Sequence, residues 1–110
     1  MSNTVSATRD GNTLTVTGKE AGLGDETQVN IRVDATAQCI NPGDKHPKAA
    51  NKQSVSGSTI APVQNGKAEF TVEVTPVLQP DCTPPMTLVF TNVTVTDVDN
   101  GISVNLTGTF

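Results

Sequence analysis

The chain has 110 residues and a formal net charge of −4, which suits one domain and leaves no room for a second. Acidic balance with only 16% charged residues repels nucleic acid and anionic membrane surfaces, and no run of 18 apolar residues is present to span a bilayer. Aromatic residues make up 3%, all Phe, so the stacking platforms on which sugar-binding sites depend are missing.

Abundant Thr and Val favour strands, and no helical period occurs anywhere. Asp10-Gly11 separates residues 3–9 from 12–19. A two-residue turn there pairs Arg9 with Asn12, Ala7 with Leu14 and Val5 with Val16, so the apolar residues share one face. The third strand is the clearest. Val29, Ile31, Val33, Ala35, Ala37 and Cys39 alternate with Gln28, Asn30, Arg32, Asp34, Thr36 and Gln38. A period of two over this length excludes an amphipathic helix and points Cys39 inward.

Asn65-Gly66 lies between residues 55–64 and 67–76 and predicts Val63 beside Ala68, Ala61 beside Phe70, Thr59 beside Val72 and Gly57 beside Val74. In the sixth strand Leu88 and Phe90 are out of phase with Val93 and Val95. A bulge near Thr91-Asn92 reconciles them; the alternative is that Leu88 and Phe90 face a second contact surface. Asn100-Gly101 predicts the last hairpin, with Asp99 opposite Ile102, Val95 opposite Leu106, Val93 opposite Gly108 and Thr91 opposite Phe110. Seven antiparallel strands with turn signals about every ten residues predict an all-β, immunoglobulin-like β-sandwich filling residues 1–110.

Two cysteines in such a chain predict a Cys39–Cys82 disulfide and an oxidising, extracellular compartment, the alternative being two buried thiols. Met1 ahead of Ser-Asn-Thr reads as a start added to a mature, exported sequence, the alternatives being a cytosolic protein or a phage-particle protein. Residues 40–52 and 77–85 are Pro-bearing, unsuited to strands, and each adjoins a cysteine, so the bridge gathers both at one end of the sandwich. Asp44, Lys45, His46, Lys48 and Lys52 make the first loop locally basic, a binding loop for an acidic partner, set against a reading as ordinary solvated charge.

His46 is the lone histidine, between Lys45 and Pro47, with nothing in the sequence to orient it as a base, so no catalytic residue is assigned. With both cysteines bridged, zinc has no ligand set, and no cofactor or metal is implied. Asp97, Asp99 and Asn100 in DVDNG share some spacing with a calcium loop but lack its closing Glu, and the hairpin explains them. The Asn-X-Thr matches at Asn92 and Asn105 fall within strands and are discounted as glycosylation sites. None of the lysines lies in an alternating apolar run, which argues against an internal isopeptide cross-link.

The segment Cys39-Ile40-Asn41-Pro42-Gly43 with Pro47-Lys48-Ala49-Ala50-Asn51-Lys52, and then Asn65-Gly66-Lys67-Ala68-Glu69-Phe70-Thr71-Val72, resembles small secreted actinobacterial proteins of uncharacterised role. That resemblance covers residues 28–76 and implies export and an immunoglobulin-like fold. Asn65-Gly66 before a strand is similar, more distantly, to the neocarzinostatin-type apoproteins, secreted carriers whose two short-range disulfides this chain replaces with one long-range pair. The functional expectation is a non-enzymatic secreted binding or adaptor module engaging another protein through strand edges or the cysteine-linked loops. A subunit of a toxin-type particle is one setting for it. The alternatives are a small-ligand carrier and a protease inhibitor presenting Lys45 or Lys48 from the 40–52 loop.

Overall fold

In a computed structural model of the chain, residues 3–40, 52–78, 82–83 and 85–110 are described. Seven antiparallel strands form: β1 (Asn3–Asp10), β2 (Thr13–Glu20), β3 (Gln28–Ile40), β4 (Lys52–Gln64), β5 (Lys67–Val74), β6 (Thr87–Asp97) and β7 (Ile102–Leu106). Their order is β1-β2-β5-β4-β3-β6-β7, and the sheet folds over into two layers, β1-β2-β5 against β4-β3-β6-β7. The two pairings that skip along the chain, β2 with β5 and β3 with β6, make the Greek-key connectivity of an immunoglobulin-like sandwich. The molecule is elongated, 49 × 21 × 20 Å.

The inward rows of the strands form one core. Val29, Ile31, Val33, Ala35, Ala37 and Cys39 of β3 are all buried, as the alternation requires. They meet Leu14 and Val16 from β2, Phe70, Val72 and Val74 from β5, and Leu88, Phe90, Val93 and Val95 from β6. Phe90 is fully buried and is the largest side chain at the centre. The phase change in β6 is resolved by the expected bulge. The β3–β6 register slips between Asp34 and Thr36, and Asn92 takes a left-handed φ of 52°. Leu88 and Phe90 therefore join Val93 and Val95 in the same core.

Two hairpin registers differ from expectation by two residues. Ala7 pairs with Val16 rather than Leu14, because Gly11 and Asn12, not Asp10 and Gly11, occupy the turn. Gly11 supplies the positive φ (60°) at the first central position, the type II′ pattern that matches strand twist. In the last hairpin Asp97, not Asp99, faces Ile102, and Val95 faces Val104 rather than Leu106. Residues 98–101 make a four-residue loop because the Asp97 carboxylate turns back onto Asn100, accepting from its backbone N (Oδ1, 3.1 Å) and its Nδ2 (Oδ2, 2.7 Å). The chain end rejoins β6 by reciprocal backbone bonds between Phe90 and Phe110, 2.8 and 2.9 Å, so Phe110 lies opposite Phe90 instead of Thr91.

At Asn65-Gly66, where φ is 55° and 74°, Val63 pairs with Ala68 as expected. Beyond that point β4 leaves the β5 ladder. Ala61 pairs with Val29, Thr59 with Ile31 and Gly57 with Val33, all on β3, correcting the expected partners on β5. Gly57 still runs close to β5: a Cβ there would sit 3.0 Å from Val74 Cγ2. β4 is thus the strand that closes the fold from one layer into the other.

The Cys39–Cys82 disulfide forms, with the two Cα atoms 5.7 Å apart. It ties the end of β3 to the β5–β6 connection, with Met86 Sδ 3.7 Å from Cys39 Sγ.

Candidate functional site

The inward row of β2 runs Leu14, Val16, Gly18, Glu20, and that of β6 ends Val93, Val95, Asp97. Both rows close on a carboxyl group at the pole opposite the disulfide. Glu20 and Asp97 are each only 3% exposed, and they are the two charged residues among the buried ones described. A buried carboxylate without compensation is costly, so each demands an account.

Asp97 has one, in the two bonds from Asn100. The Asn100 amide also donates to Glu26 (3.2 and 3.3 Å), while Asp99 accepts from the backbone N of Asn30 at 2.7 Å and from its side chain at 3.2 Å. The acidic turn that shares spacing with a calcium loop is therefore occupied in tying β6–β7 to β3 and to the β2–β3 connection.

Glu20 has none. Neither carboxyl oxygen meets a hydrogen-bond partner of good geometry among the described residues. Burial pushes its carboxyl up to about 8, from an ordinary 4.5. Asp97 adds to the effect as an acceptor for the Glu20 proton and as a like charge, and Glu26 adds charge from farther out. At neutral pH Glu20 holds its proton.

A cavity of about 10 Å³ lies against these carboxyls, room for one water-sized group. Ile31, Phe70 and Val95 wall its inner side. Its outer side is formed by Val5 of β1 with Ile102 and Val104 of β7, and these three are only half-buried. The solvent side of the site is thus the seam between β1 and β7, where the two layers end without a ladder between them.

Both strands at that seam are unpaired along their outer edges in the described structure, since β1 bonds only to β2 and β7 only to β6. β7 has no charged residue, no Pro and no bulge, and β1 is uncharged from Asn3 to Thr8. Edge strands are ordinarily blunted by such features.

Of the residues singled out by sequence, Cys39 and Cys82 come together as expected. Lys52 opens β4, exposed, opposite Gln38 on β3. Asp44, Lys45, His46 and Lys48 lie outside the described residues. Beside the bridge, Pro76, Val77, Leu78, Thr83 and Leu88 line an open depression of about 310 Å³, with Val77 strongly exposed. Glu20 is the residue sequence reading missed. Its signal was parity: it continues the inward row two places beyond Gly18, one residue after the expected strand end at Lys19.

No family model, curated protein or solved structure matches this chain.

Proposed function

We propose that this domain is a secreted, non-enzymatic binding module that joins another protein by accepting a strand from it along the β1–β7 seam. The observation that carries the reading is a pair of edges, unpaired among the described residues and uncharged over β7 and residues 3–8 of β1, flanking half-buried Val5, Ile102 and Val104. An added strand would satisfy open backbone donors and acceptors and cover apolar surface in one step, the mode of β-augmentation. The long-range disulfide supports an extracellular setting, where such a bridge persists. A carrier role for a small organic ligand is less well supported, since the space between the layers at this pole is about 10 Å³ against the hundreds that such ligands occupy.

The reading is tested by photo-crosslinking in culture fluid from the producing organism. A photoreactive residue at Ser103 on β7 is expected to capture one defined protein, whereas the same group at Ser58 on the exposed face of β4 captures none. A domain that elutes alone, without a cross-link from position 103, overturns it.

A further inference from the structure

A strand accepted at the seam would lay its inward side chains over the cavity that Glu20 and Asp97 line, and the chemistry of that cavity restricts what such a side chain can be. Three features narrow the choice. The room is that of one water molecule, about 10 Å³. Once Glu20 gives up its proton both its oxygens are acceptors, 97% removed from solvent, and no donor meets them among the described residues. The remaining walls are apolar: Val5, Ile31, Phe70, Val95, Ile102 and Val104.

A divalent cation is poorly served, because calcium takes six to eight oxygen ligands and the described lining offers as side-chain oxygens only the four of Glu20 and Asp97. A guanidinium is planar, several times the size of water, and carries five donors for which this space has too few acceptors. A primary ammonium has the bulk of a water molecule and three donors, matching two Glu20 oxygens and one Asp97 oxygen. Its four-carbon stem is apolar and suits the Val5–Ile102–Val104 rim.

We infer that the Glu20–Asp97 cavity is a receptor for a single lysine side chain, presented inward by the partner strand that enters the β1–β7 seam. This assignment rests on the strand-acceptor reading above and adds the partner's identifying residue. At neutral pH the free protein keeps a proton on Glu20. The incoming ammonium replaces that proton as the counter-charge, so docking releases one proton from Glu20 to solvent. Only a cation of the right size recovers the energy of the buried carboxyl, which makes the cavity a filter against partner strands with an apolar residue at that position.

The probes are two blocked nonapeptides of alternating Thr and Val, one with lysine and the other with norleucine at the central inward position. Binding is measured by calorimetry with the intact, disulfide-bonded protein. At pH 8.5 the lysine peptide is expected to bind at least tenfold more tightly than the norleucine peptide. The ratio should fall below threefold at pH 5.5, where the proton on Glu20, faced by Asp97 and Glu26, competes with the ammonium. Glu20→Gln should remove the preference while leaving norleucine binding unchanged, and its folding is checked by far-ultraviolet circular dichroism. Asp97→Asn provides the same test if Glu20→Gln does not fold. Equal affinity of the two peptides at pH 8.5, or a lysine preference that survives both substitutions, overturns the lysine assignment but leaves the seam intact. Failure of both peptides to bind overturns the strand-acceptor reading, and the lysine assignment falls with it.

Discussion

Raising the pH is expected to weaken the folded state through one residue. The Glu20 carboxyl is held up to about 8 in the folded protein against 4.5 when free. Between those values the folded protein keeps a proton that the unfolded chain has released, so stability falls as pH rises. The contribution of the neutral carboxyl is complete below pH 4.5, declines through neutrality, and is lost above pH 8. At about 1.36 kcal/mol per pH unit, the interval sets an upper bound of about 5 kcal/mol, which water reaching the carboxyl from the seam screens to less. The window from pH 6 to 9 isolates the effect from ordinary carboxylates, which have finished titrating. With no Trp or Tyr to report by fluorescence, urea unfolding is best followed by circular dichroism at several pH values. The unfolding midpoint of the native protein should drop steadily across the window, with an unchanged slope. Glu20→Gln, which copies the shape of the neutral carboxyl, should match the native protein near pH 5 and stay nearly level to pH 9. A native midpoint that is flat from pH 6 to 9, or a Gln variant that falls just as steeply, refutes the account of a buried, proton-holding Glu20.

Phe90→Ala, at a fully buried site, is expected to cost about 3–5 kcal/mol, and Phe70→Ala a comparable amount; a loss under 1 kcal/mol by urea titration would mean the core is assigned wrongly. Gly18→Ala should cost about 1–3 kcal/mol, because its Cβ would sit 2.5 Å from Phe70 Cζ and 2.9 Å from the Thr4 carbonyl oxygen; Phe70→Leu in the same chain should recover part of the loss. Reducing the Cys39–Cys82 bridge, which spans 43 positions, should lower stability by about 4 kcal/mol, as read from denaturation with and without reductant. Replacing Lys45, Lys48 and Lys52 together with Ser should leave the thermal midpoint unchanged; if the loop steers an acidic partner, it should also slow association and flatten its salt dependence.

The strands were legible in the sequence because alternation is a local property. Every inward residue of β3 could be read from Val29 to Cys39, and the bulge at Asn92 was one of two readings of a conflict of phase, the other being a second contact surface for Leu88 and Phe90. Partnering was harder. Moving a hairpin by two residues keeps every side chain on its own face, so the apolar pattern could not distinguish Ala7 opposite Leu14 from Ala7 opposite Val16. The departure of β4 from β5 depends on a long-range choice, the better ladder offered by β3, which no local signal at Asn65-Gly66 carries. Glu20 escaped for a related reason. A charged residue beside Lys19 at a strand end looks solvated in sequence, and its burial arises only when β6 brings Asp97 and β1 and β7 bring their apolar rows to the same pole.

The bridge between Cys39 and Cys82 also has a mechanical meaning. Under tension applied through the two ends, the chain cannot pay out the segment between the cysteines, a sequence separation of 43 that holds all of β4 and β5. At about 3.3–3.6 Å per extended residue, roughly 150 Å of contour stays sheltered from the load until the sulfurs are reduced. Force applied to the domain must instead peel β1 and β7, the terminal strands, away from β2 and β6. The strands that border the seam are therefore the first to register a pull, while the closing strand β4 stays locked behind the disulfide.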